Sequence, residues 1–374
     1  MLRVKRCQLS VVQVKIGGVV AALAALPFLL LPANGRAGED AAPATPVFTV
    51  GWSPNAGNNP YPYLESSGLL KKWADRYHLE IKLQRLDYKS AIDAFVSRKV
   101  DACVMSNLAA LNVSATAGID ATVLYLNDSS NGNDVILARS GVELKDLPSK
   151  KTLLDQKSVS LYLLERAMTM QGLESQIPNL KLINTEEDGI ARRFLKDQEV
   201  DVAVTWKPMA SQIVIGAKAK DLFNSSQVPG EIVHFMAVRT ELVNRPDGSG
   251  ERFAKALTGA WYEVMAQLAA PVMQSEVLGG IASATKNTIE TVNDQLDTTK
   301  FFMSPNSALR FENGSKDRMS EMRLFCFNHK LLGDAKSPEE VAIEYPDESI
   351  DGKRDHVRLR LDSKYMALAL GRRL

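Results

Sequence analysis

One pattern constrains the fold more than any other: strand-like and helix-like segments alternate along the chain, and the alternation runs twice. Residues 48–52, FTVGW, form a short apolar run ending in the loop SPNAGNNPYP, a strand entering a long turn. A helix is expected around residues 64–77. Residues 79–86, LEIKLQRL, alternate apolar and polar with period two, as a strand does. Residues 89–98 space Ala91, Ile92, Ala94, Phe95 and Val96 as a helix would, and Val100, Ala102 and Val104 alternate again. Further strands are expected at 121–126 and 134–138. The series then restarts, with strands at 151–154, 180–184 and 200–206 and helices at 160–171 and 188–197. RKVDACVMSN (98–107) and QEVDVAVTWK (198–207) share Val-Asp and the apolar alternation behind it, so that Val100 matches Val200, Asp101 matches Asp201 and Val104 matches Val204. Each follows a helix with an Ile and a Phe on its apolar side: Ile92 and Phe95, then Ile190 and Phe194. This order argues for an α/β fold with a largely parallel sheet in each of two related units.

Length supports two units. A chain of 374 residues exceeds the ~250–300 that one core usually organises. After residue 230 one strand returns, 232–239, and the rest reads as mostly helical, at 251–269, 271–281, 286–296 and 316–331. A chain that crosses to a second lobe and comes back fits: lobe one at 46–133 and 231–374, lobe two at 134–230, with two crossovers between them. In open α/β sheets ligands sit beyond the carboxyl ends of the strands, so the site is expected in the cleft between the lobes.

The N-terminus reads as an export signal. Arg3, Lys5, Arg6 and Lys15 precede the apolar run at 16–31, and Gly35-Arg36-Ala37 offers small residues for cleavage after Ala37. A membrane anchor is the alternative, but the run is shorter than the ~20 residues a spanning helix needs and contains Pro27. Cys7 lies before the apolar run, which argues against a lipid-attached cysteine. Residues 38–46 read as a short flexible lead-in. The expected location is the periplasm. Cleavage would leave 40 basic and 44 acidic residues, which argues against nucleic acid as a partner because phosphate neutralisation needs a basic surplus. Of three cysteines, Cys103 and Cys326 would remain. Two buried thiols are expected, with pairing the alternative in an oxidising compartment.

Catalytic patterns are missing from the sequence. His78, His234, His329 and His356 have no metal-ligand spacing, and His234 in the returning strand reads as a satisfied, half-buried side chain. No nucleophile elbow, Walker loop or dinucleotide fingerprint occurs. Binding rather than chemistry is expected, with no enzyme activity, cofactor or metal. The candidate ligand residues stand where strands end at the cleft. They are Trp52 and Ser53 after the first strand, Ser106 and Asn107 after the first Val-Asp unit, and Asn131 and Asp134 in DSSNGND (128–134), where Asn133 is also a candidate. Ser160 stands at a helix start, Thr205 and Trp206 in TWKP, and Glu231 before the returning strand. Each has a plainer reading: a solvated hairpin turn at Asn131-Gly132, N-capping at Ser158 or Ser160, core packing for the two tryptophans, a surface acid for Glu231.

The segments VGW, GLLKKWADRY (68–77), VDACVMSNLAAL (100–111), SSNGNDVIL (129–137), SVSLYLLERAM (158–168), VAVTWKP (202–208), FNSSQVPGEIV (223–233), ALTGAWYE (256–263) and FNHKLLGD (327–334) resemble the periplasmic substrate-binding proteins of the nitrate/sulfonate/taurine ABC-transporter family. The resemblance spans about residues 46–374 and is nearest to the branch associated with urea or guanidine carboxylase. It implies a two-lobed type II periplasmic-binding-protein fold, acting as a monomer, that hands a small solute to an inner-membrane permease. The loop at 53–63 lacks the Trp that this branch is expected to carry. Two carboxylates, Asp134 and Glu231, and two indoles, Trp52 and Trp206, against one cation, Lys207, favour a guanidinium-like or urea-like solute, since cation–π contacts and carboxylates suit a planar nitrogenous group. The alternative is a small anion such as a sulfonate, taurine or nitrate. Two others are a ligand-sensing protein and a thiamine-pyrimidine-precursor enzyme, whose cysteine-rich segment is missing here.

Overall fold

The computed structural model describes residues 44–374, so the expected signal peptide and most of the lead-in lie outside the described residues. Among the described residues fourteen strands make two sheets. The first is built from Val47–Trp52 (β1), Glu80–Arg85 (β2), Ala102–Ser106 (β3) and Ala121–Ser130 (β4). The second holds Asp134–Ala138 (β5), Lys151–Leu154 (β6), Lys181–Asn184 (β7), Val202–Trp206 (β8) and Lys220–Asn224 (β9). The chain then returns to the first sheet with Val233–Arg239 (β10), Thr299–Phe301 (β11), Ala342–Glu344 (β12), Ile350–Asp351 (β13) and Val357–Leu361 (β14). The strand orders are β13-β12-β14-β4-β10-β3-β1-β2, with β11 on β4, and β7-β6-β8-β5-β9. Every residue of β3, β5 and β8 is buried, because helices cover both faces; this is why they read as continuous apolar runs.

Helices follow the strands. Pro60–Ser66 (α1) and Leu69–Arg76 (α2) replace the single helix expected at 64–77, and Gly68 between them takes φ +79°, a conformation glycine adopts without strain. Tyr88–Val96 (α3) is capped by Asp87, Asn107–Thr116 (α4) by Ser106 and Val159–Met170 (α5) by Ser158, each side chain accepting a first-turn N–H. Glu187–Lys196 (α6) follows β7. Met209–Ala217 (α7) and β9 fill a stretch in which the sequence reading places no element.

Asn131-Gly132 is not a hairpin turn. β4 and β5 belong to different sheets, so residues 131–133 carry the chain from one to the other, and 225–232 bring it back. The two links run side by side. Ser130 N–H donates to the Ile232 carbonyl at 3.0 Å, and the Ser130 and Ser225 hydroxyls bond at 2.7 Å.

The duplicated Val-Asp unit has a structural meaning. Asp101 Oδ2 accepts the Thr49 N–H of β1 at 2.8 Å, and Asp201 Oδ2 accepts the Lys151 N–H of β6 at 3.4 Å. Each unit is completed by an arginine at the end of the antiparallel neighbour strand. Arg239 donates to the carbonyls of Phe95 and Val100 and lies over the Phe95 ring. Arg139 donates to the carbonyls of Phe194 and Val200 and lies over the Phe194 ring. β10 against β3 and β5 against β8 are therefore equivalent pairs, with His234 opposite Ser106 and Asp134 opposite Trp206.

Candidate functional site

Strand ends from both sheets converge on one cavity. Asn55, Tyr88, Ser106 and His234 come from the first sheet and its loops; Asn133, Asp134, Ser158, Val159 and Trp206 come from the second. The space measures about 20 Å³. A single water needs about 10–15 Å³, so it suits a compact solute and not an extended one. A wider cleft of about 270 Å³ shares Asn55, Tyr88 and Trp206 and is bordered by Asp87, Asp155, Glu186 and Lys89.

Each wall residue is held by its local structure. Tyr88 opens α3, its hydroxyl donating to Ser106 Oγ at 3.1 Å and accepting the Ser106 N–H at 3.0 Å. Its ring meets Trp206 edge-on, centroids 6.0 Å apart, and so joins the two sides of the cavity. Asp134 begins β5 and is buried. Its Oδ2 accepts the Ser130 hydroxyl at 2.5 Å, while Oδ1 has no partner among the described residues. Burial pushes its carboxyl above the usual range, against the opposing pull of the His234 charge and the Ser130 hydroxyl. His234 Nδ1 lies 3.0 Å from Asp128 Oδ1. Burial alone would lower the imidazole, but Asp128 and Asp134 together hold it above its ordinary value. The N-termini of α4 and α5, at Ser106 and Ser158, also reach the wall and add partial positive charge. Among the described residues no Lys or Arg lines this cavity. Lys207 is turned away onto Asp294, at 2.8 Å. Among the described residues no cluster of His, Cys, Asp and Glu could hold a metal ion.

No protein-family model matches the sequence, and no curated protein matches it. Solved structures do match in shape. The periplasmic aliphatic sulphonate binding protein SsuA of Escherichia coli superimposes with a TM-score of 0.59 at 15% identity, covering 78% of this chain and 95% of that one. The alkanesulfonate-binding protein SsuA of Xanthomonas axonopodis pv. citri, bound to MOPS, gives 0.61 at 15%, covering 79% and 96%. The periplasmic nitrate-binding protein NrtA of Synechocystis PCC 6803 gives 0.55 at 11%, covering 88% and 100%. The fold is that of the periplasmic binding proteins.

Within this periplasmic-binding-protein fold the expected site residues separate. Ser106, Asp134 and Trp206 line the cavity, and Ser53 lines the adjoining cleft. Trp52 lines neither: it lies in the core, with the Arg85 guanidinium 6.0 Å from its ring centre. Asn107 turns to the second crossover, donating to the Glu231 carbonyl at 2.9 Å. Asn131 is exposed in the first crossover. Ser160 is buried one residue beyond the wall, its Oγ without a partner. Thr205 lies on the opposite face of β8 from Trp206, because side chains alternate along a strand. Glu231 is neither a surface acid nor a wall residue. Its carboxylate takes the Tyr162 hydroxyl at 2.6 Å and two Arg166 N–H groups at 2.7 and 2.9 Å. Burial would raise it, but those partners hold it below its usual range. Tyr88, Asn55, Val159 and His234 are wall residues the sequence reading missed. For His234 the signal was available: it pairs across from the end of the first Val-Asp unit as Asp134 does from the second.

Proposed function

We propose that this chain is the solute-binding component of an ABC importer, exported to the periplasm, where it captures a small solute and passes it unchanged to a permease. The observation that carries the reading is the cavity walled from both sheets, with Asp134 and Trp206 on one side and Tyr88 and His234 on the other. The solute is a compact nitrogen-containing one, urea-like or guanidinium-like: Asp134 Oδ1 stands open to N–H groups, two aromatic rings line the same cavity, and among the described residues no Lys or Arg lines it. Lobe one is residues 46–133 with 231–374, lobe two is 134–230. They rotate about the two crossovers, closing on the solute and opening at the permease.

A second reading, a small oxyanion, has its own support. Two helix N-termini and His234 reach the wall, and the matching structures are named as sulphonate and nitrate binders. Against it stands the cost of facing an anion with a desolvated carboxylate, several kcal/mol. Isothermal titration with guanidinium, urea, nitrate and taurine tests both. Heat with urea or guanidinium and none with the anions supports the first reading; tight taurine or nitrate binding with silence toward the others replaces it with the second. Small-angle scattering should show a smaller radius of gyration with the bound solute, and identical profiles at saturation would refute closure.

A further inference from the structure

The duplicated strand pairs put an open ring nitrogen, that of His234, and an open carboxylate oxygen, that of Asp134, in the cavity wall, beside the side-chain N–H groups of Asn55, Asn133 and Trp206. His234 commits Nδ1 to Asp128, and its other ring nitrogen, Nε2, has no partner among the described residues although the side chain lines the cavity. Asp134 commits Oδ2 to Ser130 and leaves Oδ1 open. The charged and titratable groups that act on His234 are Asp128 from β4 and Asp134 from β5. Both are acids, so both favour the imidazolium and hence an N–H at Nε2. A solute that satisfies this wall must accept a hydrogen bond at one point and donate at another. It must also fit a space of about 20 Å³ beside Trp206 and Tyr88.

We infer that the site selects a neutral carbonyl compound bearing N–H groups, a urea or a small primary amide, with its oxygen on His234 Nε2–H and an N–H on Asp134 Oδ1. This rests on the solute-binding reading above and chooses within it. Guanidinium has no acceptor atom, so it sets N–H against N–H at His234. Nitrate has no donor, so it sets lone pairs against Asp134. An unmet buried donor or acceptor is costly, which makes the wall discriminating.

The test is isothermal titration of the full chain with urea, acetamide, guanidinium and nitrate between pH 6 and pH 9. Urea and acetamide are expected to bind at least about tenfold more tightly than the two ions, in line with the penalty for an unmet polar group. Their affinity should fall as pH rises, approaching about tenfold per pH unit once His234 has lost its proton. Asp134 would give the opposite slope, so His234→Gln, which keeps a donor but does not titrate, separates the two. It should bind urea with no falling limb. Guanidinium binding that exceeds urea binding, nitrate preference, or a folded His234→Gln protein that keeps the falling limb would overturn the inference and leave solute binding intact. Silence toward all four solutes and taurine would overturn the solute-binding reading itself. The wild-type profile decides even where the variant does not fold.

Discussion

Replacing Gly57 with alanine perturbs the charges behind the cavity without altering a residue of its wall. A Cβ at Gly57 would stand 2.1 Å from Asp128 Oδ2 and 2.8 Å from its Cγ, well inside the 3.0 Å below which real contacts essentially do not occur. Either the Asp128 carboxylate retreats or the 55–59 loop lifts. Asp128 is buried and holds His234 Nδ1 at 3.0 Å, so a retreat that clears the methyl group breaks that bond. A hydrogen bond to a charged group contributes about 1.5–3 kcal/mol, and G57A is expected to lose about that much stability. It should also lower the His234 pKa, because Asp128 is the main partner that raises it against burial. The pH dependence follows from the raised value. The His234–Asp128 contribution is fully present below the unfolded histidine value of 6.5 and disappears as pH rises through the folded value. The melting-temperature gap between wild type and G57A should therefore narrow on going from pH 6 to pH 9. The assay is an NMR titration of the imidazole signals beside thermal melts at each pH. With four histidines in the chain, the His234→Gln spectrum identifies the signal. A G57A protein with wild-type melting and an unmoved His234 titration would refute the reasoning.

Three further outcomes are expected. Glu312 is buried with no partner for either oxygen among the described residues, and burial, with Asp362 adding to it, pushes its carboxyl up to about 8. Its contribution is present below 4.5 and is lost as pH rises towards 8, so Glu312→Gln should melt higher than wild type at pH 8 and no higher at pH 4.5. Thr205→Val removes a buried hydroxyl without a partner, and the melting temperature should hold or rise, by up to about 1 kcal/mol of stability; a clear loss would show that the hydroxyl has a partner. Glu231→Gln breaks the charge-assisted pairing with Arg166 and weakens that with Tyr162, and should cost about 1–3 kcal/mol in melts while leaving urea affinity in titrations close to wild type.

Much of the scaffold was legible. β5, β6, β7, β8, β10, α5 and α6 fall within a residue or two of the segments read from periodicity, because side-chain direction repeats every two residues in a strand and every 3.6 in a helix. α7 and β9 were not legible: MASQIVIGA is apolar nearly all round and KDLFN is a short edge strand, so neither carries a clear period. The break between α1 and α2 at Gly68 interrupts a helical spacing that runs on through it, so only the glycine itself signals it. Of the candidate ligand residues, Ser106 and Trp206 at the ends of their strands and Asp134 at the start of its strand line the cavity. Trp52 also ends a strand yet lies in the core, with the Arg85 guanidinium over its ring.

The amino-acid order determined the two α/β units and their duplication, because apolar spacing and the paired Val-Asp segments act through neighbours along the chain. Only the tertiary structure decided that residues 131–133 cross between sheets and that Arg139 and Arg239 clamp equivalent helix ends. It alone placed His234 against Asp128, and it drew Glu231 to Arg166. Those outcomes depend on contacts between residues 55–144 positions apart, and what a buried charge faces is set by partners that no local pattern names.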